Sequence, residues 1–302
     1  MDPFLSEKIS AGIGTYLANH APVTHFDRAE AEQRRRTLTP SELSAVKKSG
    51  ARDYITYDML SRFLKETGLC READETYLFS LFSAARTLSP EEFLHDPYLK
   101  KIRVPQKRIG NFLLTTASYE AGEWLQYEMP DFDAPVVVPH LGFFPQKVTF
   151  PTVYEGNIPW MSVCPSEISS MRLPAKKAHG RVLVLGLGLG YYPFLISKKQ
   201  EVTSVTVVEL KREVVDLFTS CILPQFPEKE KIRVIQADAF SYLSGLCGGE
   251  YDFVFADIWE NQADGAEAYR KIRAHQDRMK NTEFSYWIEK EILSYINVKG
   301  AL

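Results

Sequence analysis

The chain has 302 residues, 45% of them apolar and 25% charged, with a formal net charge of −3. That length exceeds what one ordinary core serves and points to about two domains of a soluble globular protein. The mildly acidic balance weighs against a dominant nucleic-acid surface, and no apolar run reaches the roughly 18 residues of a membrane span.

The four cysteines, Cys70, Cys164, Cys221 and Cys247, are far apart and form no C-x-x-C pair. No zinc or other metal site and no disulfide framework is expected from them. Free thiols, and an N-terminal stretch Met1–Tyr16 that carries charges and lacks a long apolar core, lead to the expectation of a cytoplasmic protein.

Residues 1–100 read as a helical domain. Thr39-Pro40-Ser41-Glu42 is a helix start: Thr39 caps, Pro40 takes the first helical position and Glu42 reaches back. Ser89-Pro90-Glu91-Glu92 repeats that logic. Between them, Met59, Leu60, Phe63 and Leu64 have helical spacing and the pattern stops at Gly68. A further helix is expected over 72–86, with Tyr77, Leu78, Leu81 and Phe82 on one side. Arg34-Arg35-Arg36 reads first as a solvated helix end, with phosphate binding as the alternative.

Residues 101–170 change character. Prolines recur, and short β-type runs lie at 136–138, 147–150 and 160–163, so a β-rich connector is expected. From residue 171 onward, buried strands near 181–185, 204–208, 232–235 and 251–256 alternate with helices near 191–200, 211–222 and 239–246. That order implies a doubly wound, Rossmann-like α/β domain with a parallel sheet.

The first of these strands runs into Gly186-Leu187-Gly188-Leu189-Gly190 and then a helix. Glycines allow a sharp turn and close approach to backbone, and the helix start offers unpaired N–H groups to a ligand. Glu209 ends the second strand, near the offset expected of an acid that accepts from ribose hydroxyls, with Leu210 beside it. Asp238 and Ala239 follow the third strand, where an Asp can accept from the adenine amine and Phe240 can cover the ring. Asp257, Trp259 and Glu260 follow the fourth. Ligands in such sheets sit outside the carboxyl ends of the strands, so these residues should converge. The dinucleotide pattern G-x-G-x-x-G would put its third position on Tyr191, too large for close helix–strand packing, and no Gly-Lys-Ser/Thr follows to make a P-loop.

Residues 181–260 resemble a class I S-adenosylmethionine-dependent methyltransferase. The loop 184–190, the Val208-Glu209 strand end, the Asp238-Ala239 turn and Tyr251-Asp252-Phe253-Val254-Phe255-Ala256-Asp257 carry the likeness. The layout is similar to the spermidine synthase-like branch, in which a small β-rich domain precedes the nucleotide-binding one. The resemblance implies that S-adenosylmethionine is held by Gly186, Leu187, Gly188 and Gly190, with its ribose on Glu209 and its adenine at Asp238-Ala239. It adds Leu210 and Asp257 to the cofactor contacts, makes Asp257 and Glu260 the catalytic acids on the acceptor side, and places Trp259 in the acceptor pocket. Tyr154, Glu167 and Tyr191 follow as substrate contacts, the first two on a gate-like segment.

Three departures from the pattern stand out. Val184 occupies the position where many such methyltransferases have an acid. Leu189 stands where aminopropyltransferases have the Asp of G-G-G-D-G. Asp257-Ile-Trp-Glu is not the Asn/Asp-Pro-Pro-Tyr/Phe motif of enzymes that methylate amino groups of nucleic acid and glutamine. The expectation is methyl transfer to a small molecule, with a non-catalytic S-adenosylmethionine-binding or scaffold protein as the alternative and an aminopropyltransferase as a further one. Tyr191 weighs against a dehydrogenase.

After strand four the spacing predicts helices over 263–279 and 284–295, and Lys299-Gly300-Ala301-Leu302 resembles the turn that introduces a fifth strand. A C-terminally shortened sheet is therefore expected. Its edge beside strand four would need cover from the C-terminal helices, from connector strands or from a second copy in a homodimer.

Overall fold

The structure, a computed structural model, describes residues 3–19 and 24–300. It divides into two compact units, one of residues 1–95 and 118–149, the other of residues 96–117 and 150–302. The first unit opens with α1 (Pro3–Asn19), α2 (Arg28–Arg36), α3 (Pro40–Ser49), α4 (Tyr54–Thr67), α5 (Glu75–Ala84), β1 (Arg86–Thr87) and α6 (Pro90–Leu94). The second unit then begins with α7 (Pro97–Lys101), β2 (Lys107–Ile109) and most of β3 (Phe112–Tyr119). The chain returns to the first unit for β4 (Trp124–Glu128) and β5 (His140–Phe143). The strands read from sequence as one connector are thus shared between two units. The run 136–138 is not a strand.

The helices of the first unit start and stop where local chemistry dictates. Thr39 and Glu42 form the reciprocal capping box, and Gly50 and Gly68 end α3 and α4 in the left-handed conformation. Such a cap contributes about 1 kcal/mol. Met59, Leu60 and Phe63 of α4 and Tyr77 and Leu81 of α5 are buried against Trp124, Leu141 and Phe143 of the β1-β5-β4 sheet. The Trp124 ring lies 5.1 Å from Phe143 and 5.6 Å from Phe63.

The second unit continues with most of β6 (Val148–Glu155), with β7 (Ile158–Ser162) and with α8 (Pro165–Lys177). It goes on through β8 (Gly180–Leu185), α9 (Tyr191–Ser197), β9 (Val202–Glu209), α10 (Arg212–Leu217), β10 (Ile232–Gln236), α11 (Ala239–Ser244) and β11 (Phe253–Ala256). It closes with α12 (Gln262–Arg273), β12 (Glu283–Tyr286) and α13 (Glu289–Gly300). Strands β2-β3-β6-β7 form one sheet, with β6 and β7 an antiparallel hairpin. The other is a parallel five-stranded sheet in the order β10-β9-β8-β11-β12. This is the Rossmann-like α/β arrangement. Its first two crossovers run to one side of β8 and the later ones to the other, so the order reverses at β8.

One expectation is corrected. Residues 284–286 are not helical but belong to β12, which pairs parallel with β11 from Phe253↔Glu283 to Ala256↔Tyr286. Glu283 N–H donates to Asp252 O (3.0 Å) and Trp287 N–H to Ala256 O (2.9 Å). The unpaired groups of β11 outweigh the helical spacing of this segment, because an open edge leaves a row of donors and acceptors without partners. Ile288, at φ 47°, separates the strand from α13. The edge beside strand four is therefore covered by the chain's own fifth strand and not by helices, connector strands or a second copy. Lys299 and Gly300 close α13, while Ala301 and Leu302 lie outside the described residues. No described helix is long and apolar enough to cross a membrane, and no disulfide joins the four cysteines.

At the start of the sheet, Arg181 clamps Asp252. Its side chain donates two hydrogen bonds (3.0 and 2.9 Å) and its backbone N–H a third (2.7 Å). These bonds hold the Asp252 carboxyl down to about 2. An ordinary Asp titrates near 3.9, so the stabilisation is present above about pH 4 and is lost as pH falls toward 2. Solvent screening keeps it to about 1 kcal/mol or less. Asp252→Asn is expected to lower the melting temperature by about 2–4 °C at pH 7, with the gap to the parent closing in melts run below pH 4.

Candidate functional site

The strand order reverses at β8, and a cavity of about 660 Å³ opens there beyond the carboxyl ends of β8, β9, β10 and β11. That position and size are those of a small-molecule site in a doubly wound sheet. Every residue that lines it belongs to the second unit. One wall is strand β7 with Trp160 and Met161, and another is the first half of α8 and its cap with Cys164, Glu167 and Met171.

The glycine-rich loop turns as the residue types require. Gly186 has φ 96° and Gly190 has φ 71°. A Cβ on Gly186 would lie 1.8 Å from the Asp257 carbonyl oxygen, and one on Gly190 would lie 2.2 Å from the Phe218 ring. These two glycines thus let the protein's own backbone and core close in on the turn. The loop is tied to the next strand: Gly186 N–H donates to Val208 O (2.9 Å), and Leu187 N–H donates to Glu209 Oε2 (3.0 Å).

Glu209 is buried at the end of β9 and lines the cavity. Its other oxygen, Oε1, accepts from Lys211 N–H (2.8 Å). Burial pushes the carboxyl above its ordinary range, and the backbone N–H groups oppose that shift. Each carboxylate oxygen has two acceptor sites, so both still have capacity for a ligand hydroxyl. Leu210, 59% exposed, stands at the rim. Asp238 caps α11, its Oδ1 accepting from Ser241 N–H (2.8 Å), with Ala239 and Phe240 beside it on the cavity wall.

Asp257 and Glu167 are half-buried and line the cavity. Burial raises Asp257 to about 7, with the Glu209 charge adding to the effect. Burial likewise raises Glu167 to about 8, with the Asp257 charge adding to it. The three carboxyls therefore form an electrostatically coupled series across three elements. Glu260 is exposed at the rim, where its N–H donates to Asp264 Oδ2 (3.0 Å). Trp259 is 7% exposed, its ring parallel to that of Tyr286. Tyr191 and Tyr192 also line the cavity, their hydroxyls donating to Asp96 (2.9 Å) and to Pro174 O (3.2 Å).

Of the residues singled out from sequence, the structure gathers all but one around the cavity or on its loop. Tyr154 is the exception: it lies on β6, paired with Pro159, and does not line the cavity. Gly190 belongs to the loop as the cap of α9 without lining the cavity.

Several cavity residues were not read from sequence. Lys211, the one basic side chain on the lining, lies 3.6 Å from Glu155 and 5.9 and 5.6 Å from the Phe112 and Trp160 ring centres. Its aromatic partners come from other strands, so no local pattern shows them. Asp264 did carry a signal, since Asn261-x-x-Asp264 is a capping box. Trp287, just after β12, lines the cavity and donates from its indole to Ser170 Oγ (3.0 Å). That hydroxyl in turn donates to Glu167 O (2.9 Å).

Two outcomes follow from this geometry. Gly186→Ala should cost more than about 2 kcal/mol, since strain at positive φ adds to a backbone clash, and urea melts would read the loss. Glu167 keeps a proton in the fold that the unfolded chain loses above about pH 4.3, so its contribution to stability falls as pH rises from there to about 8. Glu167→Gln should therefore melt a few degrees above the parent at pH 8.5 and level with it at pH 4.5.

No family model matches the chain, and no curated protein matches it. Among solved structures it is similar to spermidine synthase from Thermotoga maritima, at 16% identity over 45% of this chain and 48% of that one, with a TM-score of 0.36. It is similar to precorrin 8w decarboxylase from Methanobacterium thermoautotrophicum, at 13% identity over 42% and 66% of the two chains, with a TM-score of 0.31. It is also similar to a conserved hypothetical protein of Streptococcus pyogenes, at 19% identity over 35% and 62%, with a TM-score of 0.29. The chain spans less than two thirds of the length of each.

Proposed function

We propose that the cavity binds S-adenosylmethionine and that the protein transfers its methyl group to a small-molecule acceptor. The observation that carries this reading is the buried Glu209 carboxylate, fixed by the Leu187 and Lys211 N–H groups on the wall of a cavity at the strand-order reversal. A preset acceptor pair there suits vicinal ribose hydroxyls, because its orientation need not be found on binding. Asp238 Oδ2, left over from capping, and the Phe240 ring supply an acceptor and an apolar face for adenine.

Bound there, S-adenosylmethionine supplies a methyl group on an already activated sulfonium. The chain's own residues then have two tasks. They orient the acceptor, and alignment of this kind can be worth about 7–11 kcal/mol. They also take up the acceptor's proton. Asp257, held near neutrality by burial, suits that role, and Glu260 offers a second carboxylate at the rim. Leu189 is 1% exposed, and its carbonyl accepts from Tyr98 (2.6 Å). It offers no charge to an aminopropyl amine, which weighs against the polyamine alternative. Val184 lines the cavity as an apolar residue where an acid would hold the methionine ammonium, and this keeps the non-catalytic reading as the second one.

Calorimetry with S-adenosylmethionine, and NADH as a control, tests the reading. S-adenosylmethionine is expected to bind and NADH is not. Glu209→Ala should weaken binding at least tenfold, the scale of a lost charge-assisted hydrogen bond of about 1.5–3 kcal/mol. Unchanged affinity in that variant would move the ribose elsewhere. Binding without methyl turnover would select the non-catalytic reading.

A further inference from the structure

The charges on the cavity wall are one-sided. Glu167, Glu209, Asp238, Asp257, Glu260 and Asp264 line it, against Lys211 alone. Lys211 is itself engaged by Glu155 and lies beside two aromatic rings. Glu260 and Asp264 are exposed to screening at the rim, whereas Glu209 is buried and Asp257 and Glu167 are half-buried on the wall of the same cavity. Carboxylates withdrawn from water interact with a ligand charge more strongly than exposed ones, because the effective dielectric is lower. Above about pH 8, where both Asp257 and Glu167 are ionised, a ligand that brings no positive charge beside them leaves their mutual repulsion uncompensated.

Resting on the S-adenosylmethionine reading, we infer that Asp257 and Glu167 make this site charge-selective: it holds the cationic donor and rejects the neutral thioether product. Transfer forms a bond from the methyl carbon to the acceptor and breaks the carbon–sulfur bond. Its electron pair stays on sulfur, and the acceptor's proton passes to Asp257 and from there to water. The sulfonium charge is then gone from the ligand, while Asp257 and Glu167 remain where they were. Once Asp257 has passed its proton to water, loss of the sulfonium charge lowers affinity, so release is favoured and product inhibition is weak.

The test uses three ligands on the full chain: S-adenosylmethionine, sinefungin and S-adenosylhomocysteine. Sinefungin carries an amine-bearing carbon in place of the methylsulfonium and is a cation that cannot transfer a methyl group. Titrations at pH 8.5 and low salt are expected to give S-adenosylmethionine and sinefungin Kd values at least tenfold below that of S-adenosylhomocysteine. Asp257→Asn and Glu167→Gln should each shrink that ratio at least threefold without weakening S-adenosylhomocysteine. A merely structural loss would weaken all three ligands together, and thermal melts show whether each variant is folded. The inference is overturned if S-adenosylhomocysteine binds the parent as tightly as the two cations, or if the ratio survives in both variants. If none of the three binds, the S-adenosylmethionine reading itself falls; if all three bind equally, that reading stands and only charge selection falls.

Discussion

The hydrogen bond from Leu187 N–H to the buried Glu209 carboxylate joins the two halves of the site. It ties the turn after β8 to the end of β9, the pair of strands from which the rest of the parallel sheet grows in both directions. The same carboxylate takes the Lys211 N–H, and so fixes the path by which the chain leaves β9 for α10. A buried carboxylate with no such donors would cost several kcal/mol or take up a proton. With two N–H groups it keeps its place, and the loop takes the sharp course that Gly186 permits. The cavity is the space that this course leaves open.

The same burial has a second consequence. Asp257 follows β11 and Glu167 lies on the first turn of α8, so the strand ends and the helix bring them in beside Glu209 whatever their charge. Each is raised because water is withdrawn and, secondarily, because its neighbour is also an acid. Stability alone gives no reason to place acids in series on a recessed wall. Perturbed carboxyls of this kind cluster at functional sites, and here they share the cavity that the loop and Glu209 define.

Much of this was legible in the sequence where the signal is local. Thr39 to Glu42 spells a capping box, Gly186 to Gly190 spells a strand–helix turn, and four apolar runs spell a parallel sheet. Glu209, Asp238 and Asp257 were readable because a strand end has a known place in such sheets. What escaped depended on distant partners. Phe284 and Tyr286 fit a helix by spacing and become strand because β11 offers an unpaired edge. Tyr154 was assigned by layout, yet the hairpin register places it beside Pro159 and its neighbours Pro159 to Ser162 on the cavity instead. Lys211 carried no local signal, because its aromatic partners, Phe112 and Trp160, come from β3 and β7.

The strand that the spacing concealed is also what completes the acidic wall. Trp287 leaves β12 with its N–H on Ala256 O, one residue before Asp257, and its indole on Ser170 of α8. Ser170 passes the contact to the carbonyl of Glu167. A single residue therefore references both recessed acids to one frame, Asp257 through the sheet and Glu167 through the helix. Without β12 the edge of β11 would be open, and Ser170 of α8 would lose its Trp287 donor. The fifth strand thus bears on the cavity wall as well as on closure of the sheet. Through Trp287 it ties together the two segments that carry Asp257 and Glu167, the pair on which the proposed charge selection rests.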